Sequence, residues 1–136
     1  MIAMDTSFLY IEDHRASRRV MELLLVEVMG CANLTMVEDT HDIVQKLEAM
    51  QTRFDVIFLD VNLKPYDGYA VCTMLRAHTY FDKAKIVGLT ASASPSDMRK
   101  MQESGFDGAI GKPLSHDTFP EQLERILAGQ AVWEAM

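Results

Sequence analysis

Phe54-Asp55-Val56-Ile57-Phe58-Leu59-Asp60-Val61-Asn62-Leu63-Lys64-Pro65-Tyr66-Asp67-Gly68 is the stretch that decides the fold. Its apolar run, Val56 to Leu59, is bounded by breakers, with Lys-Pro and Asp-Gly in the loop that follows. A short run of this kind reads as a central strand buried on both faces. It delivers a carboxylate, Asp60, to its carboxyl end. Open α/β sheets bind their ligands at such ends. A carboxylate buried there needs a cation or hydrogen-bond donors. Taken alone, Asp60 reads equally well as a loop cap, since Asp is common in turns.

The flanking sequence alternates in type. Ser7 to Ile11 reads as a first strand ending in Glu12 and Asp13. His14 to Met29 follows as a helix, with Val20, Leu23, Leu24 and Val28 spaced as a buried face and Gly30 as its stop. Leu34 to Val37 is a second strand and Asp42 to Met50 a second helix. After the Asp60 strand come a helix over Gly68–Ala77 and a strand over Lys85–Thr90. Ser94-Pro95 opens a helix that Gly105 stops, with Pro at its first turn. Gly108 to Gly111 is a short fifth strand ending in Lys112-Pro113, and His116 to Leu127 the last helix. Five strands alternating with five helices imply a parallel sheet covered on both faces with right-handed crossovers. In the tail, Gly129 to Met136, Trp133 is expected to pack on the last helix.

A length of 136 residues suits one domain, with a core over about 7–127, and 49% apolar residues suits an ordinary globular chain. No apolar run approaches bilayer length, and the first residues lack the pattern of a secretory signal. Two cysteines without metal-ligand spacing read as reduced thiols in a cytoplasmic protein. The net charge of −7 argues against direct nucleic-acid binding. His14, His41, His78 and His116 read as surface or packing residues. The residues after Leu127 are too few for an effector domain, so output is expected through protein contacts.

In a parallel sheet the strand ends point one way, which gathers Glu12, Asp13, Asp60, Thr90 and Lys112 at one rim. Singly, each has a plain structural reading: a helix cap, a strand terminus, a turn lysine. Together they repel as carboxylates unless a hard cation joins them, and Mg2+ accepts one or two carboxylates while keeping waters and a phosphate oxygen. Lys112 adds a mobile point charge and Thr90 a hydroxyl. The set suits an aspartate that takes up a phosphoryl group.

Glu12-Asp13, Leu59-Asp60-Val61-Asn62, Asp67-Gly68, Thr90-Ala91 and Lys112-Pro113 stand in the order and spacing of the receiver domain of two-component response regulators. The resemblance covers Ser7 to Leu127, and Arg18 matches a recurring position. It implies a flavodoxin-like (βα)5 sheet of order 2-1-3-4-5. It implies Asp60 as phosphoacceptor and a histidine kinase or histidine phosphotransfer protein as donor. Mg2+ would be held by Glu12, Asp13, Asp60 and the backbone carbonyl of Asn62. Thr90 and Lys112 would contact the phosphoryl oxygens. Signalling would pass through the face of the fourth helix, fifth strand and fifth helix. Asn62 and Ser92 stand where the family tunes phosphate lifetime. The chain departs from the family at Lys64-Pro65, where proline comes one residue late, at Ala109, where an aromatic is usual, and at Glu12, where Asp is more common. A flavin carrier of the same fold is disfavoured, because Glu12-Asp13 would repel a flavin phosphate. A receiver-like binding module that is never phosphorylated is the remaining alternative.

Overall fold

The computed structural model describes residues 2, 5–92 and 94–134. The elements run β1 (Phe8–Ile11), α1 (Arg15–Glu22), β2 (Leu34–Val37), α2 (Ile43–Ala49), β3 (Val56–Asp60), α3 (Gly68–Arg76), β4 (Lys85–Thr90), α4 (Pro95–Glu103), β5 (Gly108–Gly111), α5 (Phe119–Leu127) and β6 (Trp133–Glu134). The sheet is parallel, in the order β2-β1-β3-β4-β5-β6. This is the flavodoxin-like arrangement expected, extended at the β5 edge by a sixth strand from the tail.

β3 is central, and all five of its residues are buried. Its alternation splits the core in two. Ile57 and Leu59 join Leu9, Ile11, Ile86 and Ala109 in the layer covered by α2, α3 and α4. Val56 and Phe58 join Phe8, Tyr10, Val87, Leu89 and Ile110 in the layer covered by α1 and α5. Phe58 anchors that second layer, stacked on Phe8 at 6.2 Å and tilted against Phe119 at 5.8 Å.

The helices start where local chemistry starts them. Asp67 caps α3 by accepting from the Ala70 N–H at 2.8 Å. Ser94 and Asp97 form a reciprocal capping box at α4, with Pro95 in the first turn. Gly30 and Gly105 take the left-handed conformations, φ +74° and +100°, that end their helices.

Three expectations are corrected. The helix after β1 does not keep one winding. Beyond Glu22 it continues as a π-helical stretch, Leu23–Val28, in which the Met29 N–H donates to the Leu24 carbonyl at 3.0 Å. The wider turn rotates the face. Met21, Leu24 and Leu25 go inside, while Val20, Leu23 and Val28 are left 40%, 38% and 50% exposed. The last helix begins at Phe119, not His116, because residues 116–118 form a turn before the Pro120 position. Trp133 does pack, but not on α5. As a strand residue beside Ala109 it faces the opposite layer, and its neighbours Val132 and Glu134 turn toward α5 instead.

Candidate functional site at the carboxyl ends of the strands

Register builds the rim. Ile11 pairs with Leu59, Asp60 with Leu89, and Thr90 with Gly111. The ladder runs one residue past the strands, with Glu12 N–H donating to Val37 and Lys112 N–H to Thr90, at 2.9 and 2.7 Å. Glu12, Asp60, Thr90 and Lys112 therefore share one edge, and all but Lys112 are buried.

Lys112 ties the carboxylates together. Its Nζ donates to Glu12 Oε1 at 2.7 Å and to Asp60 Oδ1 at 3.4 Å. Glu12 is fully buried, and both its oxygens have further protein partners. The Tyr10 hydroxyl donates to Oε1 at 3.0 Å, and the Asp13 N–H to Oε2 at 3.1 Å. Arg18 stands just behind, donating to the Glu12 carbonyl at 2.9 Å and pairing with Glu38 at 3.4 Å. Asp13 faces solvent. Among the described residues, Glu12, Asp13 and His14 offer ligand atoms within 4.8 Å of one another. Asp60 lies instead against Glu12 and Lys112.

These contacts separate the protonation behaviour of the two buried carboxyls. Burial alone would raise Glu12, but the hydrogen bond and charge of Lys112, with the hydrogen bond from Tyr10, hold it below its ordinary value. Asp60 is pushed up to about 6 by burial first and by the Glu12 charge second, with Lys112 pulling the other way. Lys112 is itself raised. Burial opposes its charge, and the hydrogen bonds and charges of Glu12 and Asp60 outweigh that. Tyr10 is raised by burial and then by Glu12, so it stays a donor.

Thr90 closes the other side. It is 3% exposed, and its hydroxyl exchanges hydrogen bonds with Ser92, accepting from the Ser92 N–H and donating to the Ser92 carbonyl, each at 3.0 Å. Thr90 is thus tied to the loop before α4, not to Asp60. Asn62 lies exposed in the loop after β3.

Two residues shape that loop through contacts that the sequence did not show. Thr40, fully buried after β2, accepts from the Tyr66 N–H at 2.7 Å and donates to the Tyr66 carbonyl at 2.8 Å. Its own N–H reaches the Lys64 carbonyl at 3.2 Å. Thr40 therefore clamps the Lys64-Pro65-Tyr66 segment, whose Lys64–Pro65 peptide is cis. No local signal could announce a pairing made 26 residues apart. Gly68 lies so close under β3 that a Cβ would stand 2.6 Å from the Asp60 carbonyl oxygen and 2.8 Å from Val61 Cα. Asp67-Gly68 was legible as a breaker, but this close approach was not. Tyr10 was legible in principle. Two residues before Glu12 on one strand face, a buried tyrosine needs a hydrogen-bond partner.

An apolar hollow of about 210 Å3 opens beside Lys112, lined by Tyr10, Ser17, Val20, Ala91, Pro113 and Leu114. A larger one, about 490 Å3, lies between α2 and α3, away from the carboxylates. Cys31 and Cys72 are free and buried, and burial pushes the Cys72 thiol up to about 11. No helix among the described residues is long and apolar enough to cross a membrane.

Comparison with known proteins agrees with this geometry. The family model for the response regulator receiver domain matches residues 8–124. The chain belongs to that family, the receiver domains of two-component signalling. It is similar to the nitrate/nitrite response regulator protein homolog of Haemophilus influenzae, 34% identical over 91% of this chain and 58% of that one. It is also similar to the osmosensing histidine protein kinase SLN1 of Saccharomyces cerevisiae, 28% identical over 78% of this chain and 9% of that one. Among solved structures, the chemotaxis response regulator CheY4 of Vibrio cholerae superposes with a TM-score of 0.78 at 24% identity, covering 89% of this chain and 98% of that one. The signal receiver domain of a histidine kinase from Syntrophus aciditrophicus superposes at 0.76 with 27% identity, covering 91% of each. The chain spans only part of the curated relatives above, 58% and 9% of their lengths.

Proposed function

We propose that this chain is a phosphoacceptor receiver and that Asp60 is the acceptor. The observation carrying the reading is Lys112 Nζ, shared between Glu12 and Asp60 at 2.7 and 3.4 Å across 100 and 52 residues of sequence. At pH 7 Asp60 is mostly ionised despite its burial. An Asp60 carboxylate oxygen attacks the phosphorus of a phosphohistidine on a partner kinase or phosphotransfer protein. The P–O bond forms as the P–N bond breaks, and the imidazole leaves with its electron pair. Lys112 stands where a phosphoryl oxygen on Asp60 would meet its ammonium. The Thr90 hydroxyl, held through Ser92, would turn from the loop toward the new charge.

The donor set fits Mg2+. Two buried carboxylates share one lysine, with the exposed Asp13 beside Glu12, and burial with the Glu12 charge holds Asp60 above its ordinary value. Asp13 and Asp60, with the Asn62 carbonyl, would hold the ion directly. Glu12, whose oxygens are already engaged, would contribute mainly its charge. Bound there, the ion would neutralise negative charge on the transferred group. The chain would then catalyse only its own phosphorylation and dephosphorylation.

We read residues 1–136 as one cytoplasmic receiver unit whose output is protein contact at the α4-β5-α5 face. Intact-mass measurement after incubation with Mg2+ and a small phosphodonor tests the chemistry. One phosphoryl group should add to the wild type and none to Asp60→Asn. No gain by wild type that nonetheless binds Mg2+ would favour the non-phosphorylated binding module, and an equal gain by the variant would remove Asp60 as the acceptor.

A further inference from the structure

The segment after α5 returns to the sheet. Gly129, at φ +89°, turns it back after α5, and Val132 to Glu134 lie along the free edge of β5. The Ala109 N–H donates to the Val132 carbonyl at 2.7 Å, and Val132 is fully buried. Gly108 leaves room for this strand, since a Cβ there would stand 2.8 Å from the Val132 oxygen. Trp133 lies over Ala109 in the α4-side layer, where the short alanine leaves space beside it.

On the other face α5 presents a matched pair. Arg125 Nη2 donates to both oxygens of Glu134 at 2.7 Å. Gln122, only 2% exposed, donates to Glu134 Oε1 at 3.0 Å. Arg125 is aimed by Glu121, whose Oε1 lies 2.9 Å from Nε without the alignment of a hydrogen bond. The buried Gln122 amide would lose its side-chain partner if the strand left. The hold is nevertheless short, a strand of two residues with one charged anchor.

We propose that the β5 edge, with Gln122 and Arg125, is a slot for an extended apolar–aromatic–acidic segment, filled here by the chain's own Val132-Trp133-Glu134. Main-chain bonds supply attachment, and the Trp133 space and the Arg125–Gln122 pair supply selectivity, as in strand addition to a sheet edge. The slot lies on the α4-β5-α5 face, so a partner bringing such a segment must displace the tail. The tail competes from a tether of a few residues, equivalent to a millimolar local concentration. This inference does not depend on phosphorylation.

Trp133 is the chain's only tryptophan, so its fluorescence reports the slot directly. In the full chain, Arg125→Glu or Glu134→Arg should shift emission toward free indole and raise iodide quenching. The ratio of docked to released tail should fall roughly tenfold, as expected for losing a bidentate pair and a buried hydrogen bond. The double variant Arg125→Glu with Glu134→Arg should restore shielding. Far-UV circular dichroism confirms folding, and Glu134→Gln replaces any reversal that unfolds. In the full chain carrying Trp133→Phe and Glu134→Arg, a peptide of residues 130–134 should show a saturable blue shift. The same peptide with Lys for Glu should not. Unchanged quenching in the single variants, no recovery in the double variant, or no blue shift at millimolar peptide overturns the proposal.

Discussion

Replacing Asp60 by Asn should stabilise the metal-free protein at neutral pH. The carboxyl is 5% exposed, and burial with the neighbouring Glu12 charge holds it at about 6 against an ordinary 3.8. Its ionised form is therefore disfavoured in the fold by about two pH units, at about 1.4 kcal/mol each, or roughly 3 kcal/mol. The sign follows from proton linkage. The native state binds this proton more tightly than the unfolded chain does, so the penalty is present in full above pH 6. It fades as pH falls from 6 to 4 and is gone below the unfolded value. Asparagine carries no charge and leaves Lys112 its 2.7 Å bond to Glu12.

The assay is urea denaturation of both proteins in chelator from pH 4 to 8, compared at equal m-value. Asp60→Asn should be more stable by about 3 kcal/mol at pH 7.5, with the difference shrinking toward zero near pH 4. Titrating groups other than Glu12 and Lys112, which Asp60 touches, are common to both proteins and cancel. Mg2+ should narrow the difference by stabilising the wild type more than the variant. A difference independent of pH, or one favouring wild type at pH 7.5, would refute the assignment of burial and Glu12 as the source of the strain.

Three further substitutions follow from the same geometry. Thr40→Val removes both side-chain bonds to Tyr66 and should cost about 1–3 kcal/mol in urea melts while weakening Mg2+ binding in calorimetry, with Thr40→Ser restoring most of each. Gly68→Ala forces a methyl against the Asp60 and Val61 backbone and should cost about 1–3 kcal/mol, visible as a lowered denaturation midpoint. Lys112→Met leaves Glu12 buried without its cation and should cost about 3 kcal/mol at pH 7.5. That loss should shrink on acidification, because burial favours the protonated form of Glu12 once Lys112 no longer holds it low.

Periodicity and breakers were enough to place β1 to β5, because buried parallel strands read as short apolar runs bounded by turn residues. Once those strands are parallel, the residues just past them must share a rim, which is why Glu12, Asp60, Thr90 and Lys112 could be grouped in advance. Which way each side chain turns was not legible. Glu12 reads as a metal ligand from its position, yet in the fold Tyr10, Asp13 and Lys112 occupy its oxygens. Val20, Leu23, Leu24 and Val28 fit a helical stripe of period 3.6, and the π-helical winding over Leu23–Val28 breaks that period beyond Glu22. The role of Thr40 depends on two loops meeting, and that of Trp133 on a strand too short to leave a pattern.

The distribution of charge at the rim bears on the order of events in the proposed chemistry. Glu12 and Asp60 share Lys112, Asp13 faces solvent beside them, and Arg18 is directed to the Glu12 carbonyl and Glu38. At 2.7 Å against 3.4 Å, the resting lysine belongs mainly to Glu12. A phosphoryl group on Asp60 replaces one carboxylate charge with a larger one and draws Lys112 toward it. Glu12 cannot follow, because the Tyr10 hydroxyl and the Asp13 N–H fix its oxygens. Such a shift uncovers a buried carboxylate, a change that costs several kcal/mol without compensation. The compensation must come from positive charge at the exposed Asp13 side before the phosphoryl group arrives. Chelation should therefore abolish phosphoryl gain outright. A wild type that gained phosphate at its full rate in chelator would show that Lys112 alone carries the charge.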